Sequence, residues 1–162
     1  MIICFLRHGK ADSPDSMPEE QRQLLEQGRR DIEAVATAWR RLRLRPDAII
    51  TSPRKRSVDS AELFGAPFGL QPMIAAELVP GAEWADVAAL LERNRHHSVV
   101  VLVGHEPALS RSVQYLTGAK AVLLKEGGMC CVELSHTVEQ SSAALTLLID
   151  PGTCDDGGTS GR

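Results

Sequence analysis

The chain has 162 residues, the size of one ordinary domain, and its 43% apolar and 24% charged residues exclude a disordered chain and allow one well-filled core. The formal net charge is −3 and only 4% of residues are aromatic, which argues against both a phosphate-attracting overall field and a base-stacking platform, so no nucleic-acid partner is expected. No stretch reaches membrane-spanning length and the apolar amino-terminal run is too short for a signal peptide, so the expected address is the cytoplasm, with no membrane partner.

Residues 2–6 form a nearly continuous apolar run that stops at Arg7, His8 and Gly9, the pattern of a buried strand ending in a polar turn. From about residue 20 to 44, Leu24, Leu25, Ile32, Val35, Ala36, Trp39 and Leu42 recur at three and four, which predicts an amphipathic helix ended by Pro46. Residues 47–51 contain Ala48, Ile49 and Ile50, a second buried strand that runs into Ser52, Pro53, Arg54, Lys55 and Arg56; residues 57–64 then read as helix. Between 65 and 81 the density of Gly and Pro predicts a winding connection with one short strand near 71–74. Trp84, Val87, Leu90 and Leu91 make another helix. Residues 98–103 are the most strand-like segment and end at Gly104, His105, Glu106 and Pro107. Leu109, Val113 and Leu116 predict a further helix, and 129–134 and 144–149 predict two last strands. With no internal repeat and no linker, one domain is expected over 1–150, followed at 151–162 by a flexible Asp-, Gly- and Ser-rich tail.

Strands alternating with helices predict an α/β sheet covered on both faces, with ligands bound beyond the carboxyl ends of the parallel strands. That rule would gather the three polar loops. The basic residues at 40–45 read as a solvated helix face, and Arg54 and Lys55 as solvent-facing or substrate-guiding. Cys4, Cys130, Cys131 and Cys154 lack metal-ligand spacing and read as small buried hydrophobes in a reducing compartment.

A histidine at the tip of a buried strand, with an arginine before it and a glycine after it, suits attack on phosphorus. The guanidinium of Arg7 offers paired donors to phosphoryl oxygens, and Gly9 lets the backbone approach closely. To attack, His8 needs one unprotonated ring nitrogen, so a backbone carbonyl or similar group is expected to hold the other. Arg56, in a loop that leads into a helix start, could add donors. His105 could donate a hydrogen bond and stabilise transition-state charge.

Leu6-Arg7-His8-Gly9, Thr51-Ser52-Pro53 with Arg56 and Ala61 in step, and Val103-Gly104-His105-Glu106-Pro107 resemble the three signature blocks of the histidine phosphatase superfamily. The short chain resembles in particular its SixA branch, the phosphohistidine phosphatases. The resemblance covers roughly residues 1–150. It implies a phosphoglycerate mutase-like fold, a three-layer α/β/α sandwich on a mostly parallel sheet. It also implies that His8 becomes phosphohistidine while Arg7, Arg56 and His105 form the rest of the phosphate pocket, with no metal; Gly9 is expected to bind phosphate beside them through its backbone, and no cofactor is expected.

Residues 24–29 resemble the family's Leu-Thr-x-x-Gly helix start, but Leu25 replaces the capping Thr, and Ser60 stands where Thr is frequent. No leaving-group acid is evident. Glu77, Glu83 and Glu106 are the candidates, with Asp12 behind them. Phosphohistidine needs less acid assistance than a sugar phosphate, so the expected partner is a phosphorylated protein, with a small phosphate ester as the alternative. A non-catalytic phospho-ligand module and a metal hydrolase using His96 and His97 are further alternatives, the last disfavoured because adjacent helical positions point in different directions. The oligomeric state is not legible.

Overall fold

The computed structural model describes residues 1–135 and 137–154; the expected tail beyond 154 lies outside the described residues. Among the described residues six strands form one sheet: β1 (Ile2–Arg7), β2 (Ala48–Thr51), β3 (Met73–Ile74), β4 (Val99–Gly104), β5 (Met129–Leu134) and β6 (Ala143–Ile149). Four helices connect them, α1 (Glu26–Arg41), α2 (Lys55–Gly65), α3 (Trp84–Arg93) and α4 (Ala108–Thr117). The sheet order is β3-β2-β4-β1-β5-β6, and only β5 runs against the other strands.

Both faces are covered because each central strand is apolar on both sides and successive side chains point to opposite faces. Ile3, Phe5, Val100, Leu102, Cys130 and Val132 pack with Val87, Leu90 and Leu91 of α3 and Leu109, Val113 and Leu116 of α4. The alternate positions, Cys4, Leu6, Val101, Val103, Met129 and Cys131, pack with Ile32, Val35, Ala36 and Trp39 of α1 and Ala61 and Phe64 of α2. Right-handed crossovers account for this division: β1 to β2 to β3 moves outward in one direction with α1 and α2 on one face, and the return to β4 puts α3 on the other. The result is the expected three-layer α/β/α sandwich.

Two expectations shift. The first helix begins at Glu26 rather than near residue 20, because Leu24 is buried by pairing with Ala11 in an isolated bridge, not by a helical face. It ends at Arg41 rather than at Pro46, and Arg43 adopts φ 56° in the turn that follows. At the start of the expected tail, Pro151–Thr153 form a single 3₁₀ turn beside α1, capped by the Asp150 side chain. Cys4, Cys130 and Cys131 are buried free thiols, Cys4 lying opposite Cys131 across the β1–β5 ladder.

The loop after β1 is pressed against the start of α1. A methyl on Gly28 would meet the Lys10 carbonyl oxygen at 2.2 Å, and one on Gly9 would meet the Gly28 carbonyl oxygen at 2.6 Å. These contacts are backbone against backbone, with no flexible atom to yield. Gly28→Ala is therefore expected to destabilise the domain by about 1–3 kcal/mol through overpacking. Helix propensity alone would stabilise the same change by about 1 kcal/mol, so the sign of the shift in urea midpoint checks the contact.

Candidate active site

The carboxyl ends of β2, β4 and β1 are neighbours in the sheet, and the three polar loops emerge there side by side. Backbone bonds fix them: the Ser52 N–H donates to Val103 O at 3.0 Å, the His8 N–H to Gly104 O at 3.2 Å, and the Gly127 N–H to His8 O at 3.0 Å. Ser60 ties the β1 loop to α2, accepting from the Gly9 N–H at 3.0 Å and donating to the Arg56 carbonyl at 2.7 Å.

At the centre lies Arg56, a residue only 2% exposed. Its Nε–H donates to His8 Nε2 at 3.1 Å and its Nη2 to His105 Nδ1 at 3.2 Å. The two imidazole centroids are 5.0 Å apart. A guanidinium only donates, so both of these ring nitrogens act as acceptors and carry no proton. The proton of His8 then sits on Nδ1 and is donated to the Gly9 carbonyl at 2.8 Å, which meets the need for a backbone group that holds the tautomer. That of His105 sits on Nε2, 2.9 Å from Ser52 Oγ and 3.3 Å from Ser57 Oγ. Arg7, half-buried, donates through Nη1 to Leu124 O at 2.9 Å, while its Nε is buried without a hydrogen-bond partner.

Burial, opposed by the bond to Gly9 and assisted by the charges of Arg56, Arg7 and Arg22, lowers His8 to about 4. Burial, followed by His8 and Arg56, lowers His105 to about 3. Both imidazoles are therefore neutral at neutral pH, and His8 Nε2 keeps its lone pair. The arrangement offers a nucleophilic nitrogen among fixed cations, the setting for transfer of an anionic group.

His8, Arg56 and His105 thus come together through hydrogen bonds, with Arg7, the last residue of β1, and Gly9, in the loop after it, on either side of His8. Of the acid candidates, Glu77 and Glu83 are engaged elsewhere and Glu106 is not. Glu77 pairs with Arg93, Glu83 caps α3 in a reciprocal box with Asp86, and Glu106 has Oε1 buried without a partner. Asp12 is bonded to Gln23 and Arg22. Arg54 pairs with Glu20 at 3.0 Å, and Lys55 with Asp59. His96 and His97 lie past the end of α3 rather than on a helix, and their rings do not diverge but lie against each other with centroids 4.0 Å apart; among the described residues no group of three or more His, Cys, Asp or Glu could hold a metal ion.

One participant escaped the sequence analysis. Glu19, between β1 and α1, accepts from Arg56 Nη2 with its carboxylate and from Arg56 Nη1 with its carbonyl at 3.1 Å, and it pairs with Arg22 at 3.0 Å. Partial burial opposes its ionisation, but the hydrogen bonds from Arg22 and Arg56 outweigh this and hold the carboxyl below its ordinary value. Ser52 and Ser57 stood inside a recognised loop, but their bonds to His105 could be found only once the strands were placed.

Residues 3–80 match the family model of the histidine phosphatase superfamily (branch 1). An uncharacterized protein of Picosynechococcus sp. is 34% identical over 113 residues, which are 67% of this chain and 68% of that protein. Among solved structures, the protein histidine phosphatase SixA complexed with tungstate superposes with a TM-score of 0.85 at 20% identity, covering 94% of this chain and 99% of that one. The α-ribazole phosphatase of Shigella flexneri gives 0.75 at 15% identity, over 93% and 97% of the two chains. A phosphoserine phosphatase mutant of Entamoeba histolytica gives 0.70 at 13%, also over 93% and 97%.

The depressed histidines set a pH dependence. Between about 4 and the unfolded value near 6.5 the unfolded chain binds more protons than the folded one, so stability is full above 6.5 and falls as pH drops toward 4. Replacing His8 with Gln is expected to remove on the order of 1–2 kcal/mol of the loss between pH 7.5 and 5, measured by urea unfolding at the two pH values.

Proposed function

The chain belongs to the histidine phosphatase superfamily, and we propose that it is a metal-independent phosphatase that works through a phosphohistidine at His8, with phosphohistidine or another phosphoprotein as substrate. The observation that carries the reading is the neutral His8, fixed through Nδ1 by the Gly9 carbonyl, with its unprotonated Nε2 accepting from Arg56 Nε and its ring close to His105.

In this reading His8 Nε2 attacks phosphorus in line. The new P–N bond forms as the bond to the leaving group breaks, and Arg7, Arg56 and His105 neutralise the equatorial oxygens. Water then attacks the phosphohistidine, releasing inorganic phosphate and restoring the neutral imidazole. The pocket-facing nitrogen of His105 carries no proton in the free protein, so to donate to a phosphoryl oxygen it must gain one, either as an imidazolium, which a bound dianion favours, or as the other neutral tautomer, with Nε2 accepting from the Ser52 or Ser57 hydroxyl.

The choice of substrate rests on the acid. Glu77 and Glu83 are held by Arg93 and by the α3 cap, and no hydrogen bond among the described residues joins Glu77, Glu83 or Glu106 to His8, Arg56 or His105. A phosphoramidate leaves through a basic nitrogen that takes up a proton readily, so it tolerates a site without a strong acid better than an alkyl ester does. The likeness to SixA over almost the whole of that chain favours the same branch. The likeness to the α-ribazole and phosphoserine phosphatases makes a broad phosphomonoesterase the second reading.

Comparison of kcat/KM across phosphohistidine peptides, phosphotyrosine, phosphoserine and sugar phosphates tests the assignment, with the phosphohistidine peptides expected to lead. On an aryl phosphate, His8→Ala is expected to abolish turnover and Arg7→Ala or Arg56→Ala to reduce kcat by about two to three orders of magnitude with the fold retained by circular dichroism. Turnover is expected to persist in a chelator. Wild-type turnover by His8→Ala would exclude the covalent route.

A further inference from the structure

Glu19 bears on how the site is reached. His8 is 6% exposed, His105 4% and Arg56 2%, and all three nitrogens of the Arg56 guanidinium have protein partners. Nε is on His8, Nη1 on the Glu19 carbonyl, and Nη2 is shared by His105 and the Glu19 carboxylate. A phosphoryl group bonded to His8 Nε2 would need its oxygens on this same guanidinium. A carboxylate oxygen on Nη2 satisfies the donor that such an oxygen would take.

The segment that carries Glu19 is built to stay near the site. Its base is closed by the Ala11–Leu24 bridge, by the Asp12 N–H to Gln23 O at 2.9 Å, by the Gln23 N–H to Asp12 Oδ2 at 3.0 Å, and by Arg22 Nε to Asp12 O at 2.6 Å. Its tip is exposed at most positions from 13 to 21. Arg22 keeps its Nε on Asp12 while its Nη1 pairs with Glu19, so Glu19 can leave Arg56 without unzipping the base.

We propose that Glu19 is an intramolecular competitor for the phosphoryl subsite, a carboxylate that rests on Arg56 and must be displaced before a phosphoryl group can bind. The proposal rests on the function proposed above for the subsite itself. Occupancy by Glu19 reduces the apparent affinity for any phosphoryl ligand by the fraction of molecules in which Arg56 is free. It also sets specificity, since a doubly charged phosphoryl group with three acceptor oxygens displaces a carboxylate more effectively than a singly charged anion does.

The test is the dissociation constant of inorganic phosphate for the full chain, by calorimetry at fixed pH and ionic strength, alongside turnover of p-nitrophenyl phosphate. Glu19→Gln and Glu19→Ala are expected to bind phosphate roughly tenfold tighter and to lower KM similarly, with kcat within about twofold of wild type. Glu20→Gln, which removes the neighbouring charge from the Arg54 pair, is expected to change the constant by less than about twofold, because exposed charges are screened. Unchanged or weaker phosphate binding in both Glu19 variants would overturn the proposal. Equal tightening by Glu20→Gln would do so as well, since a general field would then suffice, and a fall in kcat at constant affinity would place Glu19 in the chemistry instead. Tighter phosphate binding without turnover in any of the proteins would leave the competitor standing and remove the catalytic reading. Normal turnover with an unmoved constant would do the reverse.

Discussion

The site depends on one buried guanidinium. Arg56 supplies donors in a fixed plane and no acceptor, so whatever touches it must offer a lone pair. His8 and His105 both do, and this single demand settles the protonation of each ring: the proton of one is sent to the Gly9 carbonyl and that of the other toward Ser52. The loops of three strands are thereby keyed to one another around a cation. Without Arg56 the two imidazoles would have no reason to present unprotonated nitrogens to the same point.

Such an arrangement conflicts with stability. Two neutral histidines and an arginine are withdrawn from water in a region that a purely structural protein would fill with hydrocarbon. The two rings find their relief within the signature loops, in the Gly9 carbonyl and the Ser52 and Ser57 hydroxyls, whereas the guanidinium of Arg56 takes its further partner from outside them, Glu19 in the segment before α1. The Glu19 carboxylate stabilises Arg56 in the absence of ligand because an unpaired buried cation would be worse. Resting stability and readiness to bind therefore pull on the same nitrogen, Nη2.

Much of the fold was legible in the sequence because period and burial agree. Residues 99–103 form an unbroken run of Val and Leu, which reads as a strand buried on both faces, and all six residues of β4 are buried between the two helical layers. The start of α1 was misplaced because Leu24 and Leu25 fall at helical spacing from the residues that follow while lying in a segment shaped by pairing with Ala11. Leu25 in the N-cap position offers no side-chain bond, so the boundary left no chemical mark. The strand placed at 71–74 has only two residues, and both are exposed, which is why Gly and Pro density said more there than hydropathy. Within the site, the histidines and arginines were legible because few other side chains suit phosphoryl chemistry. Glu19 was not, since one carboxylate in a polar loop looks like any other until the backbone brings it to an arginine 37 positions away. The Leu124 contact had no sequence signal at all, because every residue has a carbonyl.

The close approach of Gly9 and Gly28 has a mechanical consequence. It clamps the two feet of the segment between β1 and α1 against each other, one through the loop that carries His8 and the other through the first turn of a sixteen-residue helix. A hinge set above clamped feet can swing only its far end, so movement that uncovers the guanidinium is confined to the tip and leaves the imidazole of His8 in its seat. The molecule can thus admit a ligand without loosening the group that must meet it.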